Sequence, residues 1–290
     1  MGIKNFQKFI KYYCPEAIGY IPRYTLVDKR VGIDGNFWIY QIMASLRSSN
    51  VQYYNNNGQD ITHIYGLYLR INSILRMNIK PVFVFDGKPP CIKMATIRER
   101  RIKKQNAHER FLNHNFSTLA ERKKLVQNSF RINGEMIEDC KSLLNLMNIP
   151  YIQSVEEADS QLAWLSKEKF IEYIISNDFD IAVFGGNNLL PYFKSKNNNF
   201  MVVDIEKVKS KLNLTQEDLV KISIVLGNDY TKSIYTGDMK DIIKNMKNLD
   251  LDNANNKKII DYYLNPRVDR YQKIYYPEAN SIIDIKKFVI

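Results

Sequence analysis

The sequence predicts an α/β fold with a mostly parallel central sheet flanked by helices. Three observations carry this expectation. VGID (31–34) and PVFVFD (81–86) are short, unbroken apolar runs that each end on an aspartate, the pattern of strands buried on both faces. Between them Ile64, Leu67, Tyr68, Ile71, Ile74 and Leu75 recur at helical spacing near 61–77, which completes a strand, helix, strand unit. A third run, IEYII over 171–175, leads into an acidic turn at Asp178 and Asp180 and a further apolar run at 181–184.

The elements follow in order. After the first strand a turn opens a helix carrying Phe37, Trp38 and Tyr40, and after the second Gly87, Pro89 and Pro90 end the run. Residues 88–131 hold twelve Lys or Arg against three Glu with little apolar material, so they are expected to form a long-helical, solvent-exposed insertion that projects from the sheet. Helices near 135–147 and 157–168 precede the third strand. Beyond 200 a small helical region is expected, with Thr215 as N-cap, Asp218 at the third helical position and Gly227 as stop. Asn-rich patches at 55–57, 197–199 and 253–256 read as loops. The expected division is a core over 1–235, which includes the basic insertion, and a helical C-terminal region over 236–290.

Composition narrows the partners. The 290 residues are 45% hydrophobic with a net charge of +11, enough apolar material for a sizeable core and a surface field that attracts polyanions, nucleic acid first among them. Cys14, Cys91 and Cys140 are odd in number and unrelated in spacing, which excludes a disulfide framework and a CxxC metal knuckle and fits a reducing compartment. Lysines at 4, 8 and 11 interrupt the N-terminus, so secretion is not expected. Phe6 stands where N-myristoylation would need Ser or Thr, and no uncharged apolar window approaches the ~18 residues of a membrane span.

Ligands in open α/β sheets bind beyond the carboxyl ends of the strands, where Asp34 and Asp86 lie. Each acid alone is accounted for as a helix cap or turn former, but acids at three matching strand ends would meet in one crevice. In SVEEADSQLA, Ser154 and Glu157 match a capping box, while Glu157 and Asp159 in the first helical turn could reach a common cation. Asp229, in LGNDY, is a seventh acid. Seven converging carboxylates repel one another unless cations neutralise them, and oxygen ligands suit Mg2+ or Mn2+. His63, His108 and His114 are too scattered for zinc. Two ions about 4 Å apart would activate a water and stabilise both oxygens of phosphodiester hydrolysis, and the basic insertion alongside would bind the phosphates.

At this point the residues resemble the flap endonuclease family, the structure-specific 5′ nucleases that include the xeroderma pigmentosum G nuclease, over roughly 1–235. MGIKNF resembles the family's N-terminus and implies that Gly2 lies close to bound DNA. GIDGNFWIYQ resembles the first motif, with Asp34 a metal ligand. KPVFVFDGKPPCIK resembles the second, with Asp86 a ligand and Lys93 a catalytic cation near the scissile phosphate; Arg100 matches the second such cation, at the base of a helical arch. EEADSQLA supplies Glu157 and Asp159, SNDFDIAVFGGNNLL supplies Asp178 and Asp180, and VLGNDYTKSI supplies Asp229.

The resemblance implies a PIN-like 5′ nuclease core and two Mg2+ ions, with Mn2+ able to substitute. It implies a monomer, not membrane-bound, that cleaves DNA at 5′ flaps or 5′ ends in replication, repair or recombination. DNA contacts are expected from Gly2, Tyr40, Lys88, Arg101, Lys103, Lys104, Arg122, Lys123 and Lys124. Asp159 stands where the family has Glu and is one methylene shorter, so the metal pair is expected to be held differently. IYTGDMK keeps only Gly237 of a glycine-rich duplex-gripping loop and introduces Asp238, which implies a weaker grip on the duplex. SIIDIKKFVI lacks the glutamine and paired aromatics of a sliding-clamp-binding peptide. The Asn, Ile, Lys and Tyr bias suggests an AT-rich genome, such as that of a large DNA virus; an intracellular protein is expected, with the nucleus and a cytoplasmic viral replication site both open. Two other functions stay open from the residues: a 5′ to 3′ exonuclease on RNA or on DNA without flaps, since phosphates attract lysines whichever sugar they join, and a DNA-binding homologue without the chemistry.

Overall fold

Alternation along two strands decides the layering. In β3 (Lys80–Phe85), Val82 and Val84 enter one buried cluster, whereas Phe83 and Phe85 enter the other, as period-two side chains of a strand covered on both faces must. In β2 (Arg30–Asp34), Val31 and Ile33 face the same side as the phenylalanines. On the opposite face Gly32 lets a helix approach so closely that a Cβ would overlap Leu162 and Ile171. Phe83 is fully buried and meets Trp38 edge-on at 5.8 Å; its truncation to Ala should cost about 3–5 kcal/mol.

The computed structural model describes residues 2–3, 5–113, 117–118, 120–121, 124–126, 132–191, 193, 198–234, 238–250, 253–271, 274 and 276. Four strands form a parallel sheet in the order β4 (Tyr151–Gln153), β3, β2, β5 (Tyr173–Ile175). An antiparallel pair, β1 (Ile18–Pro22) with β6 (Asn199–Val203), connects to it through Leu189, which bridges both Ile174 and Val203. One face is covered by α2 (Gly35–Ser48), α3 (Thr62–Leu75) and α5 (Gly134–Leu146). The other is covered by α1 (Phe6–Tyr13), α6 (Ala158–Lys167), α8 (Ile205–Leu212), α9 (Gln216–Leu226), α10 (Ile242–Lys247) and α11 (Ala254–Leu264), whose Ile259 and Tyr263 enter that same cluster.

The α/β expectation therefore holds, with a helical insertion and helical C-terminal region. Helix α4 (Met94–Leu112) buries only Ala107 and runs for about 28 Å at 1.5 Å per residue. Thr215 and Asp218 form the expected capping box of α9, and Gly227 ends it at φ 82. The apolar run at 181–184 is taken up by α7 (Asp180–Val183), a short helix with all four residues buried.

Two local expectations need correction. Residues 253–256 are not a loop but the start of α11, because the Asn253 side chain accepts from the N–H groups of Asn255 (2.9 Å) and Asn256 (3.3 Å). Asn199 likewise opens β6 rather than a loop. The turn at 55–57 is present, with Asn55 accepting from Asn57 and Gln59. Among the described residues no helix is long and apolar enough to cross a membrane.

Candidate metal and nucleic-acid site

Because the four strands run parallel, their carboxyl ends share one edge of the sheet, and the acids predicted at those ends meet there. Asp34 closes β2, Asp86 follows β3, Glu157 and Asp159 open α6 after β4, and Asp178 and Asp180 follow β5. Asp229 reaches the cluster from the turn after α9.

Three of the seven acids spend an oxygen on the backbone. Asp34 Oδ1 caps α2 by accepting from the Phe37 N–H at 2.9 Å, Asp86 Oδ1 accepts from the Ala158 N–H at 2.9 Å, and Asp178 Oδ1 accepts from the Asp180 N–H at 2.9 Å. Such a bond leaves room for a second role, since a carboxylate has two oxygens and about four lone-pair positions. Asp159, Asp178 and Asp180 bring ligand oxygens within 4.8 Å of one another. Asp159 Oδ1 is buried with no hydrogen-bond partner among the described residues, a costly arrangement that a bound cation would relieve. A cluster of hard oxygen donors with an orphaned carboxylate oxygen fits a divalent ion of the Mg2+ or Mn2+ type.

The capping box expected at Ser154 and Glu157 is absent. Ser154 Oγ donates to the Phe85 carbonyl at 2.6 Å instead, and Glu157 makes no cap bond. Its carboxylate turns into the cleft, where Oε1 pairs with Lys93 and Oε2 accepts from the hydroxyls of Tyr230 (2.8 Å) and Tyr262 (2.7 Å). A partner brought by packing displaced the local one.

Lys93 and Arg100 converge on one carboxylate: Lys93 Nζ lies 3.2 Å from Asp229 Oδ2, and Arg100 pairs with Asp229 Oδ1. Burial works against the Lys93 charge, yet Glu157, Asp229 and Asp159 overturn that and hold its ammonium above the ordinary lysine range. Of the expected DNA contacts, Lys88, Arg101, Lys103 and Lys124 are exposed, and Lys104, midway along α4, sits 5.3 Å over the Tyr40 ring. Gly2, at φ 74, lies so close to the Asp178 carboxylate that a Cβ would overlap it. Arg122, Lys123 and Gly237 lie outside the described residues; Asp238 caps a short turn by accepting from the Lys240 N–H at 3.1 Å.

Three tyrosines went unforeseen. Besides Tyr230 and Tyr262 on Glu157, Tyr263 donates to Asp180 Oδ1 at 2.7 Å. Burial, then the neighbouring carboxylates, push all three phenols above the ordinary tyrosine range, so they are donors at neutral pH. The one sequence signal was that Tyr263 lies four residues after the buried Ile259, on the inner face of an amphipathic helix.

Burial raises Asp34, Asp159 and Asp180 well above the usual carboxylate range and Asp178 above it; Asp86 adds to the rise at Asp34, Asp178 at Asp159 and Asp180, and Asp229 at Asp178. In the unfolded chain these groups titrate near the ordinary ~3.9. Between that value and the raised folded values the folded state binds more protons, so stability is lost as pH climbs above about 4. The melting temperature in EDTA is therefore expected to rise by several degrees when pH is lowered from about 8 to about 5.5. Saturating Mg2+ should flatten the dependence. A melting temperature indifferent to pH in EDTA would contradict this account.

Comparison with known proteins follows the same residues. The family model described as the XPG N-terminal domain matches residues 1–107, and that described as the XPG I-region matches residues 148–229. A flap endonuclease 1 of Theileria annulata is 33% identical over 94% of this chain and 57% of its own length, so the chain spans little more than half of that relative. A flap endonuclease 1 of Enterocytozoon bieneusi is 31% identical over 86% of this chain and 72% of its own length. Among solved structures, the catalytic core of Rad2 in complex with DNA substrate superposes with a TM-score of 0.72 at 23% identity, covering 99% of this chain and 94% of that one.

Proposed function

The chain belongs to the XPG and flap endonuclease family, and from that premise we propose that it is a metal-dependent nuclease that hydrolyses DNA phosphodiester bonds at 5′ flaps and 5′ ends. The observation that carries this is the convergence of seven carboxylates at one sheet edge beside Lys93 and Arg100, with a basic helix projecting next to them.

Two Mg2+ ions, replaceable by Mn2+, would be held by Asp34, Asp86, Glu157, Asp159, Asp178, Asp180 and Asp229, and when bound they supply charge neutralisation and activation of a water for attack on phosphorus. The chain's own groups do the rest. Exposed Arg101, Lys103 and Lys124 draw the phosphate backbone to the site by counterion release. Lys88, exposed two residues after Asp86, adds a further cation, and Tyr40, with Lys104 over its ring, offers an aromatic surface beside the middle of α4. Lys93 and Arg100 turn from the carboxylates to the phosphoryl oxygens, where developing charge is greatest.

The test is a panel of 5′-labelled flap, nicked, blunt and single-stranded substrates, in both sugars, with Mg2+, Mn2+ or EDTA. Metal-dependent cleavage of the DNA flap, suppressed by EDTA, is the expected result. Faster cleavage of RNA than of any DNA would replace the substrate assignment, and cleavage undiminished in EDTA would remove the metal one.

A further inference from the structure

The C-terminal helix α11 touches two of the acids directly, although about 80 to 105 residues of chain separate them. Tyr262 and Tyr263 are consecutive, and consecutive helical side chains diverge by about 100°. Their hydroxyls consequently reach different carboxylates: Tyr262 donates to Glu157 Oε2 and Tyr263 to Asp180 Oδ1, each at 2.7 Å. The helix that presents them is itself held. Ile259 is fully buried, the Tyr263 ring lies 4.6 Å from Phe184 and 5.6 Å from Tyr230, and Tyr262 meets Tyr230 at 5.5 Å. Rigid phenols of this kind lock the plane of a carboxylate through one oxygen and leave the other for a cation.

We propose that Tyr263 and Tyr262 are positioning residues for Asp180 and Glu157, so that the docking of α11 sets how tightly the carboxylate cluster holds a divalent ion. This rests on the metal-binding reading of the acids. A purely structural role is the alternative, in which the phenols satisfy buried hydroxyls and anchor the helix. The two roles differ in what they move: anchoring alters stability without metal, and positioning alters metal affinity.

Mn2+ binding to the full chain, followed by the EPR signal of free Mn2+, and melting in EDTA separate them. Tyr263→Phe is expected to weaken Mn2+ binding roughly 10-fold. Tyr262→Phe should weaken it about 3-fold, because Tyr230 still donates to the same Glu157 oxygen. Tyr276→Phe is the control: its hydroxyl donates to the carbonyls of Lys80 (3.0 Å) and Pro81 (3.3 Å), at the opposite end of β3, and Mn2+ affinity should not change. Wild-type affinity in both Tyr263→Phe and Tyr262→Phe, whatever their melting temperatures, overturns the inference, as does an equal loss in Tyr276→Phe. If Tyr263→Phe does not fold, Tyr262→Phe decides alone by the same criterion. Failure of the wild-type chain to bind Mn2+ would instead overturn the metal-site reading, and with it this one.

Discussion

Asp180→Asn is expected to lower the single-turnover cleavage rate by at least about 1,000-fold, equivalent to roughly 4 kcal/mol of transition-state stabilisation, while leaving affinity for a flap substrate within about 3-fold of wild type. Asp180 is buried, belongs to the group of three carboxylates whose oxygens approach within 4.8 Å, and feels Asp178 and Asp229 as like charges. Asn keeps its size and can still accept from Tyr263 through Oδ1, so the fold should tolerate it. It also removes a buried negative charge from a repelling cluster, and melting in EDTA should hold steady or rise. On the proposed reading, substrate affinity comes from exposed cations such as Arg101 and Lys103 of α4, which the substitution leaves unchanged. Retention of more than about a tenth of wild-type turnover would dismiss Asp180 as a ligand.

Lys93→Ala and Arg100→Ala should each depress the single-turnover rate at saturating enzyme by roughly 10-fold to 1,000-fold, whereas Lys103→Ala should chiefly weaken affinity and lower the salt slope by about 1. The contrast comes from placement. Lys93 and Arg100 are drawn into the carboxylate cleft through Glu157 and Asp229, where water is scarce and a charge acts strongly; Lys103 stands exposed on α4. Lys93→Ala also frees Glu157 of a competing cation, so Mn2+ binding should be equal or tighter even as cleavage slows. Similar effects of all three substitutions on the chemical step would point to a diffuse electrostatic surface with no privileged pair.

Which acids would meet was legible from simple facts: apolar runs that end on Asp34 and Asp86, the acidic turn at Asp178 and Asp180, and the rule that parallel strands place their carboxyl ends on one edge. Periodicity sets backbone direction, and direction alone carries those side chains to a common place. The exposed character of α4 followed from its charge for the same local reason. The capping box at Ser154 and Glu157 shows where such reasoning stops. Its pattern was sound, but the Phe85 carbonyl, 69 residues away along the chain, took the serine hydroxyl, and Lys93, Tyr230 and Tyr262 took the glutamate.

The sequence by itself determined the layered α/β architecture, the set of acids and the basic face beside them, because these depend on strand and helix period and on the order of residues along the chain. Only the tertiary structure decided how each carboxylate oxygen is used: which caps a helix, which pairs with Lys93 or Arg100, which accepts from a tyrosine of α11, and which, Asp159 Oδ1, is left without a partner among the described residues. A hydrogen bond needs its partner within about 3 Å and well aligned, and partners so far apart in sequence become neighbours only through strand register and helix docking, which no local pattern encodes.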